Sequence, residues 1–371
     1  MTTEGVSEWR RKNCVMYNEQ PLKLGLFGIN VGNGCTVSHA ETTFEPSWEH
    51  NLEIAKRAER MDFEMLVAVG RWRGFGGTTD FNGENLEVFT WGAALAAHTE
   101  KIMLFPTSHV PTIHPCLAAK QGATIDHISK GRFGLNVVCG WFTPEMEMFG
   151  AKQLEHDERY VRATEWLHVI KRMWKEQDFN HEGKYFKVNQ GYCLPKPIHD
   201  PFPVLVNAGA SPAGRKFSAE HCDFNFITLN SLEFARDMVQ EVGTLAAEYK
   251  RLCGVMSFGQ VICRDTEKEA NDAMAEILEK GDYETATTIL NIFGVESGTA
   301  PEGFADQQKR LINGWFGYPL IGTPEQVVEQ FLEIKKTGLE GMCLSFLDYN
   351  EELKYFDDRV MPLMKQAGLR I

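Results

Sequence analysis

The sequence predicts an α/β chain folded as a closed (β/α)8 TIM barrel with insertions, and three observations predict it. Eight short runs rich in β-branched and aromatic residues alternate with eight longer stretches whose apolar residues recur at helical spacing, the pattern of parallel strands joined by crossover helices. A count of eight favours a closed barrel over an open sheet. Glycines and isolated polar residues crowd just after the runs, at the strand ends where a barrel builds its site.

In chain order, LKLGLFGIN (22–30) leads to a helical stretch at 48–61, and EMLVAV (64–69) leads to one at 84–98. KIMLFPTS (101–108) precedes a helix at 115–129, and RFGLNVV (132–138) precedes one at 155–175. FPVLVNA (202–208) feeds a short helix at 212–221, and DFNFITL (223–229) feeds a longer one at 231–251. MSFGQVIC (256–263) and GMCLSFL (341–347) are the last two strands, with helices at 323–337 and 350–366. Two stretches interrupt the repeat. FNHEGKYFKV (179–188) alternates around Glu182-Gly183 and reads as a β-hairpin. Residues 266–320 open with an Ala/Glu-rich helix and continue irregularly, as lids and partner contacts do. With no internal repeat and no linker, residues 1–371 are read as one domain.

Composition removes several classes of function. Lys+Arg total 38 against Asp+Glu 51, a net charge of -13, which opposes a polyphosphate partner such as nucleic acid. No apolar run approaches the roughly 18 to 20 residues that span a bilayer, and the polar start MTTEGVSEWRRKN lacks the apolar core of a secretory signal. A cytoplasmic protein without a membrane partner is expected. The nine cysteines are scattered, with no CxxC pair, so they read as reduced core residues and no metal site is expected.

Four motifs carry chemistry, each beside a structural alternative. NAGASPAG (207–214) lies between a strand and a helix, where Gly209 and Ser211 would let backbone N–H groups approach a phosphate. It is not a dinucleotide fingerprint, because G-x-G-x-x-G is absent there. His109 and His114 stand five apart on a Pro-broken loop with no third ligand, which favours rim or packing histidines over a metal pair. LEHDERY (154–160) reads equally as the solvated start of a helix. RGFGG (73–77) reads equally as a flexible loop at a barrel mouth.

Together these motifs resemble the bacterial-luciferase-like flavin monooxygenases from about Leu22 to Met364. RGFGG, ATIDHISKGRFGLNVVCGW (123–141) and FSAEHCDFNF (217–226) resemble the pyrimidine oxygenase subgroup, which opens the uracil ring. NVVCGWF (136–142), LEHDERY and LIGTPEQV (320–327) resemble dimethyl sulfone and alkanesulfonate monooxygenases. The resemblance implies reduced FMN and O2 as cofactor and cosubstrate, with a separate NAD(P)H:flavin reductase. It makes Asn136, Glu145, Arg159, Tyr160 and Ser211, with Gly209 in the same loop as Ser211, flavin ligands. It places Thr107 and the Asn136 amide where oxygen is held beside flavin N5, and Trp141 as the adjoining wall. Arg71 stands where the pyrimidine oxygenase has a lysine, keeping the charge but not a proton-transfer base, and would steady an anionic or carbonyl-bearing substrate. The substrate implied is a small nitrogen heterocycle other than uracil, or uracil held differently. Cleavage of a C–S bond in a sulfone or sulfonate, flavin binding without catalysis, and a deazaflavin oxidoreductase stay open. A homodimer or homotetramer is expected, both from the family and because helix 84–98 carries Leu86, Val88, Phe89, Trp91, Ala94 and Leu95, more apolar surface than one barrel face needs.

Overall fold

The computed structural model of the chain describes residues 6–294 and 301–371. Its strands are β1 (Lys23–Phe27), β2 (Met65–Val67), β3 (Met103–Phe105), β4 (Thr107–His109), β5 (Gly134–Val138), β6 (Phe179–Glu182), β7 (Lys187–Gly191), β8 (Val204–Asn207), β9 (Phe224–Ile227), β10 (Gly254–Cys263), β11 (Tyr318–Gly322) and β12 (Gly341–Ser345). Hydrogen-bonded neighbours run β3-β2-β1-β12-β10-β9-β8-β5-β4. β3 and β4 are two halves of one strand, interrupted at Pro106, which has no N–H to give a ladder. The path therefore begins and ends on the same strand, and the sheet closes into an eight-stranded parallel barrel. Leu104 N–H donates to Arg132 O and Asn136 N–H donates to Pro106 O, each at 3.0 Å, across the seam. The eight expected runs are the eight barrel strands. β6 and β7 form the expected antiparallel hairpin.

Alternate strand residues fill the barrel, as the two-residue period of a strand requires. Met65, Val67, Met103, Phe105, Val204, Val206, Phe224, Phe226, Met256 and Phe258 form one interior cluster; fully burying each side chain of this kind contributes about 1.5 to 3 kcal/mol. Cys14 and Met16 close the bottom of that cluster. The intervening residues, among them Leu66, Leu104 and Leu205, face the helices in the larger outer cluster. An unforeseen helix, Glu8–Asn13, brings Arg10 to Asp223 at 2.6 Å.

Helices differ from expectation in three places. The helix expected at 84–98 begins only at Val88, capped by Glu87, whose carboxylate accepts from Phe89 and Thr90 N–H. Its Val88, Phe89, Trp91 and Leu95 are buried within this chain and Leu86 and Ala94 partly so, so the surplus apolar face argued for pairing is absent from it. The C-terminal stretch is Glu351–Tyr355, a wider π turn at Phe356–Val360, then Met361–Gln366. Pro362 lacks the N–H that an unbroken helix needs, and the π turn accommodates it. The segment 266–320 holds helices Glu267–Glu279, Tyr283–Ile292 and Pro301–Gly314 and then β11, which pairs with the end of β10; residues 295–300 of it lie outside the described residues. Asp282, capping the second of these helices, accepts from Thr79 N–H and the hydroxyls of Thr78 and Thr79 at 2.9 to 3.0 Å. The segment is thereby tied to the loop after β2. Among the described residues no helix is long and apolar enough to cross a membrane.

Candidate active site

A cavity of about 990 Å³ opens at the C-terminal ends of the barrel strands. Phe27, Phe226 and Phe258, the last inward layer of the barrel, form its floor, with ring centroids 5.4 to 5.9 Å apart. Arg71, Thr107, Asn136, Trp141, Arg159, Tyr160, Gly209 and Ser211 all border it. They come from two strands, three βα loops and one helix, which only closure of the barrel brings together.

One end is polar. Ser211 caps the helix Pro212–His221, its Oγ accepting from Gly214 N–H at 3.2 Å, and the positive end of that helix faces the cavity. A Cβ on Gly209 would lie 2.6 Å from Asn207 Oδ1 and 2.9 Å from Tyr160 Oη; one on Gly214 would lie 2.7 Å from Gly209 Cα. The loop is thus packed so closely that only glycine leaves its backbone in place. Asn207 Oδ1 accepts from Gly209 N–H at 2.9 Å and from Ser218 Oγ at 3.0 Å, while Asn225 Nδ2 donates to Asn207 O and Gly209 O, each at 3.1 Å. These three polar residues hold the loop from beneath. Arg159 spends Nε on Leu154 O at 3.0 Å and Nη1 on Gly140 O at 3.2 Å, so its guanidinium is held at the cavity edge. Burial raises the Tyr160 phenol above its ordinary range, keeping it a neutral hydroxyl.

At mid-cavity Thr107 and Asn136 are direct partners across β4 and β5. The Thr107 hydroxyl donates to Ala68 O, so Oγ1 has only lone pairs left for Asn136, whose Nδ2 donates to it at 2.9 Å. That order of donors orients the amide. Asn136 Oδ1 is left buried and without a hydrogen-bond partner among the described residues. The pair was expected to offer a hydroxyl and an amide to oxygen; in the folded chain the hydroxyl proton is spent on the backbone, and the free atom is an acceptor.

The other end is aromatic. Trp141 stacks on Phe293 at 4.6 Å and 20°, Phe81, Trp315 and Phe316 complete the walls, and Phe75 packs against Trp141 beside them. Phe293, Trp315 and Phe316 come from the 266–320 segment. Arg71 lies in this box, its guanidinium 4.6 Å from the Phe75 ring centre and 5.4 Å from that of Trp141, a cation–π arrangement. Glu145 lies behind the wall instead of on it: fully buried, with Oε1 3.2 Å from Arg71 Nη1 and accepting from Trp72 N–H at 2.7 Å. Burial pushes its carboxyl upward, but His109, Arg71 and the Trp72 N–H outweigh that and hold it below its usual range. Arg71 and Glu145 are therefore both charged, and they neutralise each other.

His109 borders the cavity, while His114 caps the helix Pro115–Ile128 through its side chain. Among the described residues no group of three His, Cys, Asp or Glu side chains is placed to hold a metal ion. Sequence reasoning took Asn207 only as the start of the NAGASPAG turn and gave no role to Ser218 or to Asn225, the latter signalled only by its polarity within an apolar strand. It also passed over Phe293, Trp315 and Phe316, since aromatic residues in an irregular segment carry no periodicity.

The luciferase-like monooxygenase family model matches residues 27–341. An FMNH2-dependent dimethylsulfone monooxygenase of Pseudomonas putida is 34% identical over 360 residues, 94% of this chain and 96% of that protein. The pyrimidine monooxygenase RutA of Acinetobacter baylyi is 30% identical over 92% of this chain and 95% of its own. Among solved structures, a riboflavin lyase with modified FMN and riboflavin superposes with a TM-score of 0.85 at 22% identity, covering 94% of this chain and 92% of its own. DmoA from Hyphomicrobium sulfonivorans superposes at 0.79 and 21%, covering 93% and 88%. At these identities the structures speak for the fold, and the family match with the two sequence relatives speaks for kinship. With a barrel closed through a Pro-broken third strand and a cavity walled by the residues that carry the resemblance, the chain belongs to the luciferase-like monooxygenase family.

Proposed function

We propose that this chain is a monooxygenase that uses reduced FMN and O2 on a small uncharged nitrogen heterocycle, with a separate NAD(P)H:flavin reductase supplying the reduced cofactor. The observation that carries this reading is one cavity with two chemically different ends, a phosphate cradle and an aromatic box, joined by the Thr107–Asn136 pair. FMN suits the polar half on three counts. The tight packing of Gly209 on Gly214 and Tyr160 holds the loop backbone in place at the cavity, the capped helix and Arg159 suit a dianion, and Asn136 Oδ1 is a buried acceptor awaiting a donor. When bound, the flavin supplies the redox chemistry with oxygen. The chain's own part is to hold the phosphate through Ser211, Gly209 and Arg159 and to offer Asn136 Oδ1 at the centre. Trp141 and its aromatic neighbours keep water from the reacting end.

The substrate follows from the aromatic end. Because Arg71 is neutralised by Glu145, that end has no unbalanced cation for a sulfonate among the described residues, and flat aromatic walls suit a small planar ring. A dialkyl sulfone is the second reading, favoured by the Pseudomonas putida relative named a dimethylsulfone monooxygenase. The test is incubation with reductase-generated FMNH2, O2 and a panel of pyrimidines, other N–H heterocycles, dimethyl sulfone and methanesulfonate, followed by product mass. An oxygenated heterocycle supports the first reading, methanesulfinate from the sulfone supports the second, and turnover of methanesulfonate alone refutes both.

A further inference from the structure

His109 does not figure in the function proposed above, yet it ends β4 two residues after Thr107, is 4% exposed, and borders the same cavity. Its Nδ1 lies 3.3 Å from Glu145 Oε2. Each of these two atoms is buried and, apart from this ion-pair contact, which falls short of hydrogen-bond geometry, neither has a partner among the described residues. Oε1 of the same carboxylate is engaged by the Trp72 N–H and Arg71 Nη1, so Oε2 is the oxygen left to accept. An ionised carboxylate facing an imidazole nitrogen sets that nitrogen as the protonated one, and the opposite nitrogen then carries a free lone pair.

We infer that His109 is a further catalytic residue, a proton acceptor whose Nε2 meets an acidic N–H of the substrate, with Glu145 as the positioning residue that fixes its tautomer. The inference rests on the heterocycle reading for the identity of the acid, and on the His109–Glu145 geometry alone for the tautomer. In the step, the substrate N–H bond breaks with its electron pair remaining on nitrogen, and the proton passes to Nε2. The resulting imidazolium lies against Glu145 and releases its proton to solvent after the product leaves. A ring anion is more electron-rich than the neutral heterocycle, which makes it the better nucleophile towards an electrophilic oxygen. The Arg71–Glu145 pair acquires a role beyond neutralisation: Arg71 and the Trp72 N–H aim the carboxylate so that its remaining oxygen faces His109.

Two experiments separate this inference from the function on which it builds. In 15N-histidine-labelled protein without flavin, the His109 resonances, identified by their loss in His109→Gln, are expected to report the Nδ1–H tautomer. In Glu145→Gln the amide oxygen stays with the Trp72 N–H, so the amide N–H group faces Nδ1 and the ring is expected to switch to the Nε2–H tautomer. A wild-type ring already in the Nε2–H form overturns the inference whatever the substrate; if Glu145→Gln does not fold, the wild-type spectrum still decides. The second experiment compares a turned-over heterocycle with its N-methyl counterpart. Wild type is expected to favour the N–H compound by about tenfold or more in kcat/KM, as loss of a buried hydrogen bond implies, and His109→Leu to lose that preference while still binding FMN. Equal kcat/KM for the two compounds in wild type overturns the proton-acceptor role. Absence of turnover on every heterocycle refutes the heterocycle reading and with it that role, leaving the tautomer result to stand or fall by itself.

Discussion

Ser211→Asp separates charge from fold at the proposed phosphate site. Ser211 is the N-cap of the helix Pro212–His221, and Asp caps helices about as well as Ser, so stability is expected to change by less than about 0.5 kcal/mol. The added carboxylate would stand about one residue's reach, roughly 5 Å, from a phosphate carrying about two negative charges; at an effective dielectric of roughly 60 the repulsion is about 2 kcal/mol. FMN affinity should then fall by roughly thirtyfold. The assay is fluorescence titration of FMN and of riboflavin, which has the same ring and no phosphate, against wild type and variant, with a thermal melt to verify the fold. FMN binding should weaken and riboflavin binding should hold. An unchanged Kd for FMN, or equal weakening of both ligands, would refute placement of the phosphate at this helix.

Thr107→Val keeps the shape of the side chain and removes the hydroxyl that joins Ala68 O to Asn136 Nδ2; a loss of about 1 to 3 kcal/mol in unfolding free energy is expected, with FMN binding retained and product formation reduced, and undiminished turnover would contradict a role at the reacting centre. Glu145→Leu leaves Arg71 charged in a buried box and should cost about 3 to 5 kcal/mol in chemical denaturation, while Arg71→Met with Glu145→Leu should recover most of it; a double variant no more stable than the single would show that the pair is not the reason. Because Glu145 is held below its usual range, its contribution is present above the ordinary carboxylate pKa and is lost as pH falls through the lower folded value. His199 and His221 act over a higher window. Burial, with Arg10 near the first and Lys171 near the second, lowers each to about 3, whereas unfolded histidine takes up a proton near pH 6.5. The unfolded chain therefore binds more protons between these values, and stability should fall as pH drops below about 6.5, by up to about 1.4 kcal/mol per pH unit for each histidine; urea melts from pH 7 to pH 5 of wild type and His199→Gln measure the share of the first, and identical slopes would contradict it.

By itself the sequence determined the barrel, because eight β-rich runs and the helical periodicity between them are local properties that survive without knowledge of any partner. It also singled out the turn at 207–214 that is proposed here to hold the phosphate, since small residues between a strand and a helix let backbone N–H groups approach an anion. What it could not show were relations between residues far apart in the chain. The hydrogen bond from Asn136 to Thr107 depends on β4 and β5 being neighbours in register. The neutralisation of Arg71 depends on a short helix, Thr143–Met148, bringing Glu145 under it from 74 residues away. The same carboxylate turned a histidine that read as rim packing into half of a buried pair. Helix 84–98 makes the point in reverse: its apolar content is visible in one dimension, but whether that surface faces a second subunit or its own barrel is decided by packing, and Phe89, Trp91 and Leu95 are spent inside the chain. Periodicity records which residues avoid water, whereas the charge state, donor order and orientation of a site residue are set by neighbours that only the closed barrel supplies.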